Sequence, residues 1–188
     1  MGFIRKLYLI RHCQATGQEP DSLLTKQGMV QADMLAKFLL DKGITRIVSS
    51  PFARAVESIR PLATKLSLDI ELNDDLAERK LAGVVLEDWY SELRRSFDDF
   101  DVRLPGGESN SEAMMRGKAA LDHILGYPDS NIAVVTHGNL LVLLLRLFDE
   151  VYGFENWAAL SNPDVFEVTI EDKGTSVERI WPMSEDCP

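Results

Sequence analysis

Apolar positions along the chain follow two periods, and the switch between them predicts its elements. Leu7, Tyr8, Leu9 and Ile10 give residues 4–10 the solid run of a buried strand. From Lys26 to Asp41 the residues Met29, Ala32, Leu35, Ala36, Leu39 and Leu40 recur at helical spacing, with Thr25 placed to cap that helix and Gly43 to end it. "RIVSS" (46–50) is a second short strand running into a helix over 51–66. There Pro51 suits the first turn, and Pro61 is expected to end or kink the helix. Residues 68–72 form a third strand. From Asn73 to Glu112 the pattern breaks down into charges and the loop signal "LPGGES". A helix over Ser111–Leu125, the strand "NIAVVT" (131–136), another helix after "HGN" and a closing hairpin that turns at Asp172–Thr175 complete the reading. Strands alternating with helices predict an α/β fold, doubly wound around a mostly parallel sheet.

Composition narrows the function classes. The 188 residues carry a net charge of -10, with 45% hydrophobic and 27% charged residues. That balance is that of one globular domain over 1–188 and speaks against nucleic acid or an anionic membrane as partner. The run "LLVLLLRLF" (140–148) is too short for a membrane span and contains Arg146, so it reads as a buried helix. Cys13 and Cys187 lie far apart and fit no disulfide or metal pattern. With no signal-peptide layout at the N-terminus, the expected location is cytoplasmic.

The candidate chemistry gathers at strand ends. Arg11-His12 follows the first strand, Arg54 follows "IVSSP", and His137 follows "IAVVT". Each alone reads equally well as a surface cation or a loop histidine. Parallel strands, however, carry all three loops to the carboxyl edge of the sheet, where open α/β folds bind ligands. Arg54 falls in the first turn of its helix and His137 just ahead of another, so both helix N-termini are expected to aim free N–H groups at an anion. Two guanidinium groups and two imidazoles meeting there suit a phosphoryl group.

"LIRHCQAT", "SSPFARAVES", "LAER" and "VVTHGN" resemble, in order and spacing, the signature segments of the histidine phosphatase superfamily. "LTKQGMVQA" (24–32) matches that family's next helix start, so the resemblance runs from about residue 5 to 145. It implies a phosphoglycerate mutase-like fold, a three-layer α/β/α sandwich with a central, mostly parallel sheet. It also implies that His12 is the nucleophile that becomes phosphohistidine and that Glu78 is the proton donor. Arg11, Arg54 and His137 with Gly138 would hold the phosphoryl group, and Gln18 stands where relatives often carry a phosphate-binding Asn. The chemistry agrees with those roles. A neutral imidazole is a competent nucleophile, and the arginines stabilise charge on the equatorial oxygens of the transition state. A carboxylic acid can then protonate the leaving oxygen. Read without the resemblance, Glu78 is a solvated carboxylate in "NDDLAERK", and Glu87 and Glu108 are alternative donors.

The substrate expected is a small phosphorylated metabolite, with no cofactor and no metal, because no His, Cys or carboxylate spacing has metal-ligand form. The segment at about 79–112, with Trp89, Tyr90, Phe97 and Phe100, is expected to cap the crevice and set specificity. Cys13 stands where the family usually has Gly, so an ordinary φ is expected there, with a small packing residue favoured over an oxidisable switch. His123, in a helix among apolar residues, reads as structural. "LRRSFD" (93–98) resembles the double-arginine segment of the mutases. The short "EPDSL" link and "LPGGES" favour a phosphatase, leaving mutase, phosphohistidine-protein phosphatase and inactive phosphate-binding module as the alternatives.

Overall fold

A computed structural model describes residues 4–182, so Cys187 lies outside the described residues. Six strands form one sheet in the order β3-β2-β4-β1-β5-β6, in which β1 is Ile4–Arg11, β2 Arg46–Ser49, β3 Ile70–Leu72, β4 Asn131–Thr136, β5 Asp164–Glu171 and β6 Gly174–Arg179. β3, β2, β4 and β1 run parallel, while β5 and β6 are the antiparallel hairpin that the terminal alternation predicts. The helices are α1 Lys26–Leu39, α2 Ala53–Leu66, α3 Trp89–Asp98, α4 Asn110–Leu125, α5 Gly138–Arg146 and α6 Phe154–Ala158.

The strands have two apolar faces, and each takes a helical layer. Leu7, Leu9, Ile132 and Val134 face Ala120, Ile124, Leu140 and Leu144 of α4 and α5. Tyr8, Ile10, Ala133 and Val135 face Leu35, Leu39, Ile59 and Leu62 of α1 and α2. The result is the three-layer α/β/α sandwich of the phosphoglycerate mutase-like fold. Both faces of β1 and β4 are buried, which is why their sequences read as solid apolar runs.

Register then decides what the sheet edge presents. Arg11 lies opposite Thr136 and Ser49 opposite Val135, so β1, β2 and β4 end nearly level. The ladder continues past them, with the His12 N–H donating to Thr136 O at 3.1 Å and the Ser50 N–H to Val135 O at 2.9 Å. His12, Ser50 and His137 therefore emerge side by side. Glycine at position 28 lets α1 close over the loop behind His12, since a Cβ there would lie 2.0 Å from Gln14 O.

Several elements depart from the pattern. α2 starts at Ala53, leaving Pro51 outside, and it continues past Pro61 to Leu66, so the proline does not end it. Interior proline costs a helix about 3 kcal/mol, but Ala55, Ile59, Leu62 and Ala63 are buried on both sides of it and hold the two halves against the sheet. The stretch that loses periodicity contains α3, whose moderately polar sequence buries only Leu93 and Ser96. α6 is five residues long and lacked any periodic signal. His123 is exposed on α4 and pairs with the Tyr127 hydroxyl at 2.9 Å, away from the apolar face. Among the described residues, no helix is long and apolar enough to cross a membrane.

Candidate active site

His12 is held in one tautomer and one orientation. Its Nδ1 lies 2.7 Å from its neighbour's carbonyl, Cys13 O, so that nitrogen carries the hydrogen and donates. The Nε2 lone pair then faces the crevice, where it accepts from Arg54 Nε at 3.2 Å, a bond that attack on phosphorus must replace. Burial pushes the imidazole down to about 3, with Arg54 and Arg11 adding to the shift and the Cys13 carbonyl opposing it. His12 is neutral at any ordinary pH. Its own carbonyl accepts from Asn162 Nδ2 at 2.7 Å.

The two arginines are fixed by main-chain oxygens. Arg54, with 1% of its surface exposed, donates from Nη1 to Gln18 O at 3.1 Å and Glu19 O at 2.8 Å. Arg11 Nη1 reaches Leu160 O and Ser161 O at 3.4 and 3.3 Å, and its guanidinium packs against Gly138, whose missing Cβ would sit 3.2 Å from Nε. Burial lowers both guanidinium pKa values, while the charge of Glu78 acts on both in the opposite direction. His137 is fully buried, its Nε2 2.8 Å from Ser50 Oγ and its ring centroid 5.0 Å from that of His12. Burial first, then His12, Arg54 and Arg11, hold His137 well below the usual imidazole range. His137 Nδ1 and Arg11 Nε have no hydrogen-bond partner in the protein. Such atoms cost about 1–3 kcal/mol apiece unless a ligand satisfies them, and phosphoryl oxygens are suited to do so.

Glu78 reaches this crevice from the opposite side. Its Oε1 accepts from the N–H groups of Arg79 at 2.8 Å and Leu140 at 3.0 Å, and its Oε2 accepts from Asn139 N–H at 3.0 Å. The carboxylate thus occupies the start of α5. This corrects one expectation, because these α5 amides hold Glu78, and the Ala53 N–H at the start of α2 donates to Pro20 O. The expectation of free N–H groups is thus corrected for Asn139, Leu140 and Ala53, whereas among the described residues no group of the protein takes the N–H of Gly138 or of Arg54 at the two helix starts.

Arg11, His12, Arg54, Glu78, His137 and Gly138 therefore lie together. Gln18 enters through its carbonyl, which accepts from Arg54 Nη1, and it is an exposed residue whose side chain makes no hydrogen bond among the described residues. Glu87 is exposed, and Glu108 is bound by Arg116, so neither shares the Glu78 position. Arg94 and Arg95 are exposed on α3, paired with Glu155 and Glu92. Cys13 has no exposed surface and an ordinary, negative φ. Burial pushes its thiol up to about 12, which makes it a packing residue of the α1–α2 layer. Sequence reasoning missed Ser50, which orients His137, and Ser58, whose hydroxyl accepts from the Cys13 N–H at 2.8 Å. Register could have found Ser50, one residue beyond β2. Nothing in the sequence distinguishes Asn162 or Arg79.

Among the described residues, no group of three or more His, Cys, Asp or Glu side chains could hold a metal ion. Histidines and arginines at three adjacent strand ends, facing a carboxylate at a helix start, define a phosphoglycerate mutase-like architecture with an anion crevice. The chain belongs to the histidine phosphatase superfamily (branch 1), whose profile matches residues 7–181. It is 29% identical over 192 residues to "Putative phosphoserine phosphatase 2" of Hydrogenobacter thermophilus, covering 93% of this chain and 94% of that one. It is 30% identical over 158 residues to "Probable phosphoglycerate mutase GpmB" of Yersinia pestis, covering 74% and 73%. The mycobacterial glucosyl-3-phosphoglycerate phosphatase Rv2419c superposes with a TM-score of 0.76 at 22% identity, over 96% of this chain and 100% of that one. That protein has also been solved with inorganic phosphate.

Proposed function

We propose that this chain is a phosphomonoester hydrolase that acts through a phosphohistidine on His12. One observation carries the reading: a neutral imidazole with Nδ1 tied to Cys13 O points its Nε2 lone pair at Arg54. Nε2 attacks phosphorus, the P–N bond forms and the P–O bond to the leaving oxygen breaks. Glu78 gives that oxygen its proton. Glu78 then takes a proton from water, whose oxygen attacks phosphorus; the P–N bond breaks and inorganic phosphate departs. Arg11, Arg54 and His137 hold the equatorial oxygens, where charge develops in the transition state.

Because two guanidinium groups already supply positive charge, the reaction runs without a metal, and activity survives exhaustive chelation. Complete loss with EDTA, restored by Mg²⁺, would overturn this part of the reading. The substrate is a small phosphorylated metabolite, and the segment at 79–112 with its exposed Trp89 and Tyr90 selects the leaving group.

Mutase chemistry is the second reading, favoured by the Arg94-Arg95 pair and by the named relatives that are mutases. Against it, only residues 19–23 join Gln18 to the strand bridge and cap that start α1, leaving little chain to close the crevice to water. The test supplies 3-phosphoglycerate and 2,3-bisphosphoglycerate together and follows the phosphoryl group. Inorganic phosphate as main product supports the hydrolase. Rapid formation of 2-phosphoglycerate with little phosphate released would replace it with the mutase. His12→Ala abolishes both outcomes; near-normal turnover in that variant would refute the nucleophile.

A further inference from the structure

Glu78 sits on a stretch without regular structure, yet both its flanks are gripped from one charged pair. Arg116, on the second turn of α4, donates from Nη1 to Asp75 O at 2.7 Å and to Ala77 O at 2.9 Å. Its remaining nitrogens bind Glu108 in a bidentate pair, Nε to Oε1 at 2.7 Å and Nη2 to Oε2 at 2.9 Å. Glu108 in turn holds the other flank through its main chain. Its carbonyl accepts from Arg79 Nε at 2.9 Å, and its N–H donates to Lys80 O at 2.8 Å. Residues 75, 77, 79 and 80 are thereby tied to one charged pair, with Glu78 between them.

Both partners of the pair are largely buried, with 21% and 22% of their side chains exposed. A bidentate guanidinium–carboxylate contact of this kind is directional as well as strong. It is anchored at its base, because Ser109 and Glu112 close a reciprocal cap on α4 immediately after Glu108. The Thr136 hydroxyl adds a further tie, donating to Leu76 O at 2.8 Å from the end of β4.

We propose that the Arg116–Glu108 pair is a positioning device for Glu78, setting the distance between its carboxyl and the leaving oxygen. The proposal rests on the reading of Glu78 as the acid and base of the hydrolase. Glu108, by residue type a rival donor, acts instead by holding the donor's backbone. A displacement of about 1 Å at a reacting group can cost about a hundredfold in rate, so loosening this clamp should be visible in the proton-transfer step.

The experiment compares Arg116→Met, Arg116→Lys and Glu108→Gln on β-glycerophosphate, a poor leaving group, and on p-nitrophenyl phosphate, a good one. Pre-steady-state release of p-nitrophenolate reports phosphorylation of His12, which needs little help from an acid. Arg116→Met is expected to lower kcat on β-glycerophosphate about 10- to 100-fold, less than the roughly hundred- to ten-thousandfold a general acid contributes in full, while the p-nitrophenolate burst rate changes less than about threefold. Glu108→Gln keeps the side chain's volume and should show the same split, which covers the case of an unstable Arg116→Met protein. Arg116→Lys, with one charged head in place of a fork, should recover only part of the loss. Combined with Glu78→Gln, the Arg116→Met loss on β-glycerophosphate should vanish, because there is no longer a proton to position. Equal losses on both substrates, or losses that multiply in the double variant, would reduce the pair to a structural role and overturn the proposal. If Glu78→Gln by itself leaves the contrast between substrates unchanged, the acid assignment falls and the clamp falls with it.

Discussion

Two regions of the molecule are built on opposite principles. The strand-end region holds Arg11, His12, Arg54 and His137 in place through register and main-chain partners, and all but Arg11 are buried. The region from Lys80 to Tyr90 has no regular structure before α3 and leaves Val85 99%, Trp89 51% and Tyr90 46% exposed. The first region can stabilise a developing charge because its groups are already held in place, with only the Arg54 Nε bond to His12 to be exchanged for phosphoryl oxygen. The second, proposed above to select the leaving group, keeps large apolar side chains in water. On the proposed function, chemistry sits where the sheet dictates position and recognition where the chain escapes it.

The largest effect should come from the strand ends. Arg54→Ala removes the donor on His12 Nε2 and frees the carbonyls of Gln18 and Glu19. A fall in kcat/KM of about a hundred- to a thousandfold or more is expected, and Arg54→Lys should not restore it, because an ammonium cannot hold three acceptors in that fork geometry. Arg94→Ala, made in the other region, should cost only a few-fold, its guanidinium being exposed. Steady-state kinetics on one substrate reads both. Similar losses in the two variants would erase the contrast.

Acid should strike the same buried region. His12, with its pKa lowered to about 3, and His137, held well below 6.5, stay neutral in the folded protein, while an unfolded chain protonates both near pH 6.5. Below that pH the unfolded state binds more protons, so stability falls as pH drops, by up to about 2.7 kcal/mol per unit for two imidazoles. Asp129 and Glu167, whose carboxyl pKa values are lowered chiefly by Arg46 and by Lys6 against the cost of burial, extend the loss at lower pH. Urea midpoints between pH 7 and 5 should therefore decline in the native chain and less steeply in His12→Asn. Equal slopes would mean that His12 takes up a proton in the folded state.

The same division explains what could be read in advance. β1, β4, α1 and the closing hairpin obey one period each, and Thr25 caps α1 through the Gly28 N–H as its residue type predicts. The site residues at strand ends were legible because a parallel sheet turns sequence order into spatial order. Helix α3 was not, because its polar residues stay in water and only Leu93 and Ser96 turn inward. Pro61 does not end α2, because local propensity yields to packing on both sides of it. The amides of α5 were assigned to a ligand, but Glu78 takes two of them, and no local pattern ties residue 78 to residues 139 and 140. Long-range polar pairings of this kind leave no period.

A smaller effect is expected one step behind the crevice. Ser50→Ala removes the hydroxyl 2.8 Å from His137 Nε2 in a site with no exposed surface, leaving the ring free to turn. The loss should be about tenfold in kcat/KM, the scale of one neutral hydrogen bond of about 0.5–1.5 kcal/mol, with kcat falling more than KM rises. An unchanged kcat would show that Phe52, 5.0 Å from the same ring, is enough to orient it.

The smallest effect belongs to the exposed region, and its form matters more than its size. Trp89 contacts Tyr90 and Trp157 at ring distances of 5.7 and 6.2 Å, and Tyr90 packs on Phe154 at 5.3 Å, so the aromatics bridge α3 to α6. The chain beyond α6 is the loop that supports Arg11 through Leu160 O and Ser161 O. Trp89→Ala should leave the melting temperature nearly unchanged, since half the ring is in water and exposed substitutions stay within about 0.5 kcal/mol. If this surface receives the leaving group, KM should rise a few-fold for phosphates with aromatic or sugar leaving groups and stay constant for phosphoserine, with kcat the same for all. If the bridge instead braces Arg11, every substrate should lose kcat alike. The second result would end the division of labour argued above, because the exposed region would then belong to the chemistry.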